Sequence, residues 1–108
     1  MQKFTVAAIA AGVLMLAHHA GAADPRSAES IASSNGCLAC HSVDKKVIGP
    51  GFKEIAAKYR ADKGASANLA QKVKMGSKGA WGEVPMPPNA HVKDDEIKAV
   101  VNWILALK

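Results

Sequence analysis

The hydrophobic positions of this chain repeat at helical spacing in four places. In chain order they are Ala28, Ile31 and Ala32; Phe52, Ile55, Ala56 and Tyr59; Leu69 and Val73; and Ile97, Val100, Val101, Ile104 and Leu105. Asp24 followed by Pro25 suits the start of the first helix, and Ser66 can cap the third, which Gly76 ends. Acidic residues 94–96 suit the positive end of the fourth helix. No strand pattern competes, so the sequence predicts an all-α domain with about four short helices.

The segment between the third and fourth helices has a different composition. Residues 76–89, GSKGAWGEVPMPPN, are dominated by glycine and proline, which predicts a loop without regular structure. Another loop surrounds residues 49–51, where the chain reads GPG. Two loops of this size in a small helical domain favour a functional role for both.

The N-terminal residues have the pattern of an export signal. Lys3 supplies the positive start, residues 4–17 form an apolar stretch, and residues 20–22, AGA, suit signal cleavage. The stretch is shorter than the roughly 18 to 20 residues of a spanning helix, so an uncleaved membrane anchor is the weaker interpretation. We therefore expect residues 1–22 to be a cleaved secretory signal peptide, with cleavage after Ala22 or Ala23. Residues 23–108 would then form one periplasmic domain without stable membrane insertion.

Composition limits what this mature domain can do alone. It has about 85 residues, and domains this small often need a disulfide, a metal or a cofactor for stability. The full chain carries 14 basic and 9 acidic side chains, and losing Lys3 leaves a mildly basic domain. Its lysines are scattered among acidic residues and form no stripe interleaved with aromatics. We therefore expect no nucleic acid partner, whereas a docking surface for another protein fits this charge.

Both cysteines lie in the segment GCLACH, in which His41 directly follows Cys40. A disulfide between Cys37 and Cys40 is possible after export, but it would close a tiny loop and constrain little of the unfolded chain. A thioredoxin-like pair would need a βαβ context, and a zinc site would need a fourth ligand at a familiar spacing, which His91 does not supply. CxxCH is the signature of covalent haem attachment, in which each thiol adds across one vinyl group and the histidine binds the iron. We favour one haem c per chain, with a disulfide or a zinc half-site as the open alternatives.

A second axial ligand would have to face His41. Met86 is the strongest candidate because three prolines in VPMPPN present its thioether on a stiff segment. Met75, which ends a helix beside Gly76, is expected to be a core residue. His91 is the rival ligand, although its position just before the last helix predicts a solvent-facing side chain.

Five blocks of the mature chain, in this order, resemble the class I c-type cytochromes, and more narrowly the small bacterial monohaem carriers of the cytochrome c-five-fifty-one kind. The blocks are GCLACH, VIGPGFKEIAAKY, LAQKVKMGSKGAWG, VPMPPNA and DDEIKAVVNWILALK. The resemblance implies the class I cytochrome c fold, with short helices wrapped around one covalently bound haem. It matches Cys37 and Cys40 to the thioether cysteines, His41 to the proximal ligand and Met86 to the distal ligand.

The same resemblance implies roles for residues around these ligands. The carbonyl of Pro50 would accept a hydrogen bond from the proximal imidazole. The indole of Trp81 would donate to a haem propionate, with simple core filling as the alternative. The amide of Asn89 would donate to the methionine sulfur. Trp103, by contrast, is expected to pack between the first and last helices.

The resemblance further implies a soluble periplasmic one-electron carrier, because an iron with both axial positions filled is closed to substrates. Its donor would be a respiratory reductase complex, and its acceptor a cytochrome oxidase, a nitrite reductase or a cytochrome c peroxidase. We expect a monomer whose Lys46, Lys53 and Lys74 face acidic partner surfaces. An enzyme or gas sensor in which Met86 leaves the iron, and a fixed subunit of a larger complex, are the alternatives.

Overall fold

The computed structural model describes residues 27–108, together with Gly12. Residues 27–108 form four α-helices and one short 3-10 turn; α1 spans Ala28–Ser34, the turn Cys37–Ala39, α2 Phe52–Tyr59, α3 Ala65–Met75 and α4 Asp94–Leu105. In this part of the chain β structure is limited to two isolated bridges. The predicted all-α fold is confirmed. The predicted signal peptide lies, apart from Gly12, outside the described residues, and none of the four helices is long and apolar enough to cross a membrane.

The starts of the first and third helices are set by local contacts. The described part of α1 begins at Ala28, where the Ser27 hydroxyl accepts a hydrogen bond from the backbone N–H of Ser30 at 3.2 Å and caps the helix. The predicted start at Asp24 and Pro25 lies outside the described residues. The predicted start of α3 is wrong. α3 begins at Ala65, with Gly64 as its N-cap. The hydroxyl of Ser66, the predicted cap, instead donates to Asn102 Oδ1 at 2.8 Å and so ties α3 to α4.

The other helix ends follow local sequence signals. α2 begins after Gly51, whose backbone N–H donates to Glu54 Oε2 at 2.8 Å, one half of a capping box. α3 ends as predicted at Gly76, which has φ of 80°. That left-handed conformation is cheap only for glycine, so the chain turns here into the predicted loop of residues 76–89.

Helix α4 is the centre of the core, since it packs against α1, α2 and α3. Its apolar stripe divides between two clusters: Val100 and Ile104 pack with α1 and with Phe52, whereas Ile97 and Val101 pack against α3. Trp103 packs against the first of these clusters, which includes residues of α1, and this confirms its predicted packing role. Its ring also lies edge-on against Phe52 of α2, with centroids 5.6 Å apart. On another side, α2, α3 and α4 together line a common cavity.

Candidate haem site

A cavity of about 230 Å³ lies between the helices and the two long loops. Much of its wall is apolar, and α4 contributes Val100, Val101 and Ile104. Six of the seven predicted site residues also line it, namely Cys37, Cys40, His41, Pro50, Trp81 and Met86. Residues from the first loop and from the second therefore meet in one space, although they are separated by dozens of positions in the sequence.

The two cysteines reach this cavity through a tight turn. Gly36, with φ of 75°, directs the chain out of α1, and the backbone N–H of His41 then donates to the Cys37 carbonyl at 2.9 Å. Cys37 and Cys40 are unpaired and partly buried. Burial raises the pKa of the Cys37 thiol above its ordinary value, against a smaller lowering effect of a backbone hydrogen bond. The thiols are thus held one turn apart on the cavity wall, beside the histidine.

The imidazole of His41 is held on several sides. Its Nδ1 lies 2.7 Å from the carbonyl oxygen of Pro50, and its ring stacks on Phe52 with centroids 5.2 Å apart. A carbonyl can only accept, so Nδ1 carries a hydrogen, and in the neutral form of the ring the Nε2 lone pair is then available to a metal. Gly49 approaches the same ring so closely that an added Cβ would lie 2.7 Å from His41 Cε1. This donor set fits a neutral histidine held as a metal ligand.

Met86 is fixed by the end of α3. Its backbone exchanges two hydrogen bonds with Ser77, at 3.1 and 2.8 Å. Gly76 lets the two segments approach, since a Cβ there would lie 2.8 Å from the Met86 carbonyl oxygen. Met86 is partly buried and lines the cavity. Its position is fixed by the two backbone hydrogen bonds to Ser77.

The two rival side chains lie elsewhere. Met75 is 67% exposed, so the expectation of a core residue is wrong. The reason is helical geometry: Val73 packs toward α4, and a residue two positions further points to a different side of the helix. His91 is exposed, as predicted, and is not among the residues that line the cavity.

Known proteins resemble this chain over most of its length. The family model described as cytochrome c matches residues 27–108. The chain belongs to the cytochrome c family. It is 44% identical to cytochrome c-551 of Pseudomonas aeruginosa over 108 residues and 46% identical to cytochrome c-552 of Nitrosomonas europaea over 109, with 100% of each chain covered. The crystal structure of wild-type Nitrosomonas europaea cytochrome c552 aligns with a TM-score of 0.72 and 51% identity, over 74% of this chain and 99% of that one.

Membership of the cytochrome c family establishes the cofactor and the class of activity. The protein carries one covalently bound haem c, and Cys37, Cys40 and His41 form its CxxCH motif. It is an electron transfer protein rather than an enzyme. Haem c supplies a single redox centre whose iron alternates between the ferric and ferrous states. The residues that line the cavity are the candidates for holding that centre.

Of the two remaining predicted site residues of this cytochrome c, one lines the cavity and the other does not. Trp81 lines the cavity while staying 39% exposed. Asn89 is not among the lining residues; its side-chain amide donates to the carbonyls of Val73 and Pro87, both at 3.2 Å. A backbone bond from Asn89 to Val73, at 3.0 Å, closes the loop onto α3. A bond from Asn89 to the methionine sulfur therefore stays a prediction.

Sequence reasoning missed two residues that contact the site. Gly49 was visible only as part of a loop, because nothing in GPG shows that it would lie against His41. Lys58 resembled any exposed lysine of an amphipathic helix, yet its Nζ lies 4.5 Å from the ring centroid of Trp81. Both contacts join parts of the chain that come together only in the fold, so no local motif could indicate them.

The lysines chosen for partner docking are not equivalent. Lys46 is exposed at the cavity wall. Lys53 pairs with Asp44 at 2.7 Å, and Lys74 pairs with Asp94 at 2.9 Å. Exposed ion pairs of this kind contribute little to stability, but they reduce the charge that a partner meets. Lys46 is therefore the best of the three for a kinetic test.

Proposed function

We propose that this cytochrome c is a periplasmic one-electron carrier. Residues 1–22 would be its cleaved signal peptide and residues 23–108 its mature, monomeric domain. It would take electrons from a respiratory reductase complex and deliver them to a cytochrome oxidase, a nitrite reductase or a cytochrome c peroxidase. The export pattern of the N-terminus supports the location, and the scattered lysines support protein partners rather than nucleic acid.

In this proposal Cys37 and Cys40 form the two thioether bonds, and His41 and Met86 bind the iron from opposite sides. The observation that carries it is that all four side chains line one cavity. The 2.7 Å contact between His41 Nδ1 and Pro50 supports a neutral imidazole ligand. The two backbone bonds between Ser77 and Met86 support a thioether held at a set position.

Two further residues have proposed roles near the cofactor. Trp81 would donate from its indole to a propionate, which its place on the cavity wall supports. Asn89, three residues after Met86, would donate to the methionine sulfur, and its backbone bond to Val73 holds this end of the loop against α3. Such a bond would withdraw electron density from the thioether, and a weaker donor ligand favours the ferrous state.

The protein's part in electron transfer follows from enclosure and ligation. Two protein ligands would leave no open axial position, so oxygen or peroxide could not bind without displacing one of them. Phe52, Val101 and Ile104 supply apolar wall that would keep water from the bound haem. A thioether and apolar surroundings both disfavour extra positive charge on the iron, and they therefore favour a positive reduction potential.

Two measurements test this function. Carbon monoxide added to the reduced protein should bind slowly, because Met86 must first leave the iron; rapid binding would indicate an enzyme or a gas sensor. Electron transfer to an added redox protein should be second order, with a rate proportional to partner concentration. A first-order rate that does not depend on concentration would indicate a fixed subunit of a larger complex instead.

A further inference from the structure

Lys58, in the last turn of α2, reaches across to the second loop. Its ammonium group donates to the carbonyl of Ala80 at 3.3 Å and lies 4.5 Å from the centroid of the Trp81 ring. The next residue, Tyr59, packs edge-on against the same indole with centroids 6.5 Å apart. Consecutive side chains of α2 therefore hold one tryptophan that lines the cavity.

The loop around Trp81 has few other attachments. Gly79 and Gly82 flank it with φ of 86° and 122°, and an added Cβ at either glycine would meet nothing within 4 Å. In the described part of the chain, backbone bonds join Ser77 to Met86 at the base of this segment, and residues 78–85 make no backbone–backbone hydrogen bond. The bond from Lys58 to Ala80 therefore fastens a segment that its own backbone leaves loose.

We propose that Lys58 is a positioning residue that holds the Trp81 indole at the edge of the cavity. Two attractions act together: the cation faces the negative face of the indole ring, and the charged N–H bonds the carbonyl next to that ring. The holding of Trp81 does not depend on which side chain binds the iron opposite His41. The contribution of this contact to electron transfer, by contrast, rests on the proposed role of Trp81 as a propionate donor.

The test follows the indole N–H groups of the reduced holoprotein by ¹⁵N NMR. The chain has two tryptophans, so each spectrum contains Trp81 and Trp103 as probe and internal reference. In Lys58→Met, which keeps the apolar side chain but removes the charge, the Trp81 N–H should exchange with water faster by about two- to fivefold, as expected for an exposed cation–π contact. Lys58→Arg should restore the slow rate, because arginine keeps both the charge and a donor.

A matched control is Lys53→Met, on the same helix, since Lys53 pairs with Asp44 and not with an aromatic ring. It should leave Trp81 exchange unchanged. An unchanged Trp81 rate in folded Lys58→Met, or an equal rise for Trp103, would overturn the proposal. The sulfur-to-iron charge-transfer band of oxidised wild-type protein reports Met86 ligation separately, so failure of the ligand proposal would be visible without changing the comparison of indole rates.

Discussion

Replacing Gly49 with alanine tests how tightly the fold holds its proximal histidine. The new Cβ would lie 2.7 Å from Cε1, 3.0 Å from Nδ1 and 3.2 Å from Nε2 of His41. Carbon atoms pack best at roughly 3.5 to 4.0 Å, so the ring or the loop must move by about 0.8 Å or more. The ring has little freedom, because it bonds Pro50 at 2.7 Å and stacks on Phe52.

Three effects set the change in the free energy of unfolding that Gly49→Ala should cause. Forcing an extra carbon into a packed site costs about 1 to 3 kcal/mol. Weakening the hydrogen bond between His41 and Pro50 costs about 1 kcal/mol more. Alanine restricts the unfolded chain more than glycine does, and this stabilises the protein by about 0.4 to 1 kcal/mol. Gly49 is not among the glycines with positive φ, so the penalty is steric. We expect the free energy of unfolding to fall by about 1 to 3.5 kcal/mol in total.

Unfolding of the holoprotein in guanidinium chloride, followed by circular dichroism, measures this loss. The control is Gly64→Ala: Gly64 has φ of −87°, and its added Cβ would come no closer than 3.4 Å to another residue. Its stability should change by less than about 0.5 kcal/mol, because the stiffer unfolded chain and the poorer N-cap oppose each other. A Gly49→Ala protein as stable as this control would refute the reasoning. The reduction potential of Gly49→Ala should also be higher than that of the wild type. The hydrogen bond to Pro50 makes the His41 imidazole a stronger electron donor, and the substitution weakens that bond.

Three further predictions concern the cofactor and partners. Cys37→Ala combined with Cys40→Ala should give little folded protein after export, since the cofactor fills much of so small a core, and haem staining of a denaturing gel should show no covalent haem. Met86→Ala should lose the sulfur-to-iron charge-transfer band of the ferric protein at neutral pH. Met75→Leu should keep that band, because Met75 is 67% exposed. Loss of the band in folded Met75→Leu would contradict Met86 ligation. Lys46→Glu should slow reaction with an acidic redox partner, more at low salt than at high salt; equal slowing at both would exclude steering by this charge.

Features that depend on neighbouring residues could be predicted from the sequence. α2 and α4 follow the 3.6-residue repeat of their apolar positions, since a stripe on one face can be buried only if the segment is helical. The CxxCH spacing lies within a single turn, so the chemistry of Cys37, Cys40 and His41 needed no knowledge of the rest of the chain. The resemblance of five blocks added the residues around them.

Features that depend on contacts between distant segments were decided by the tertiary structure alone. Ser66 is a good helix cap by composition, but its hydroxyl bonds Asn102 of α4 instead. Met75 is apolar, yet its direction from α3 leaves it in solvent. The contacts of Gly49 with His41, and of Lys58 with Trp81, exist because two loops dock on the helices. Local propensities act over a few residues, whereas these distances depend on how α4 holds the other helices together.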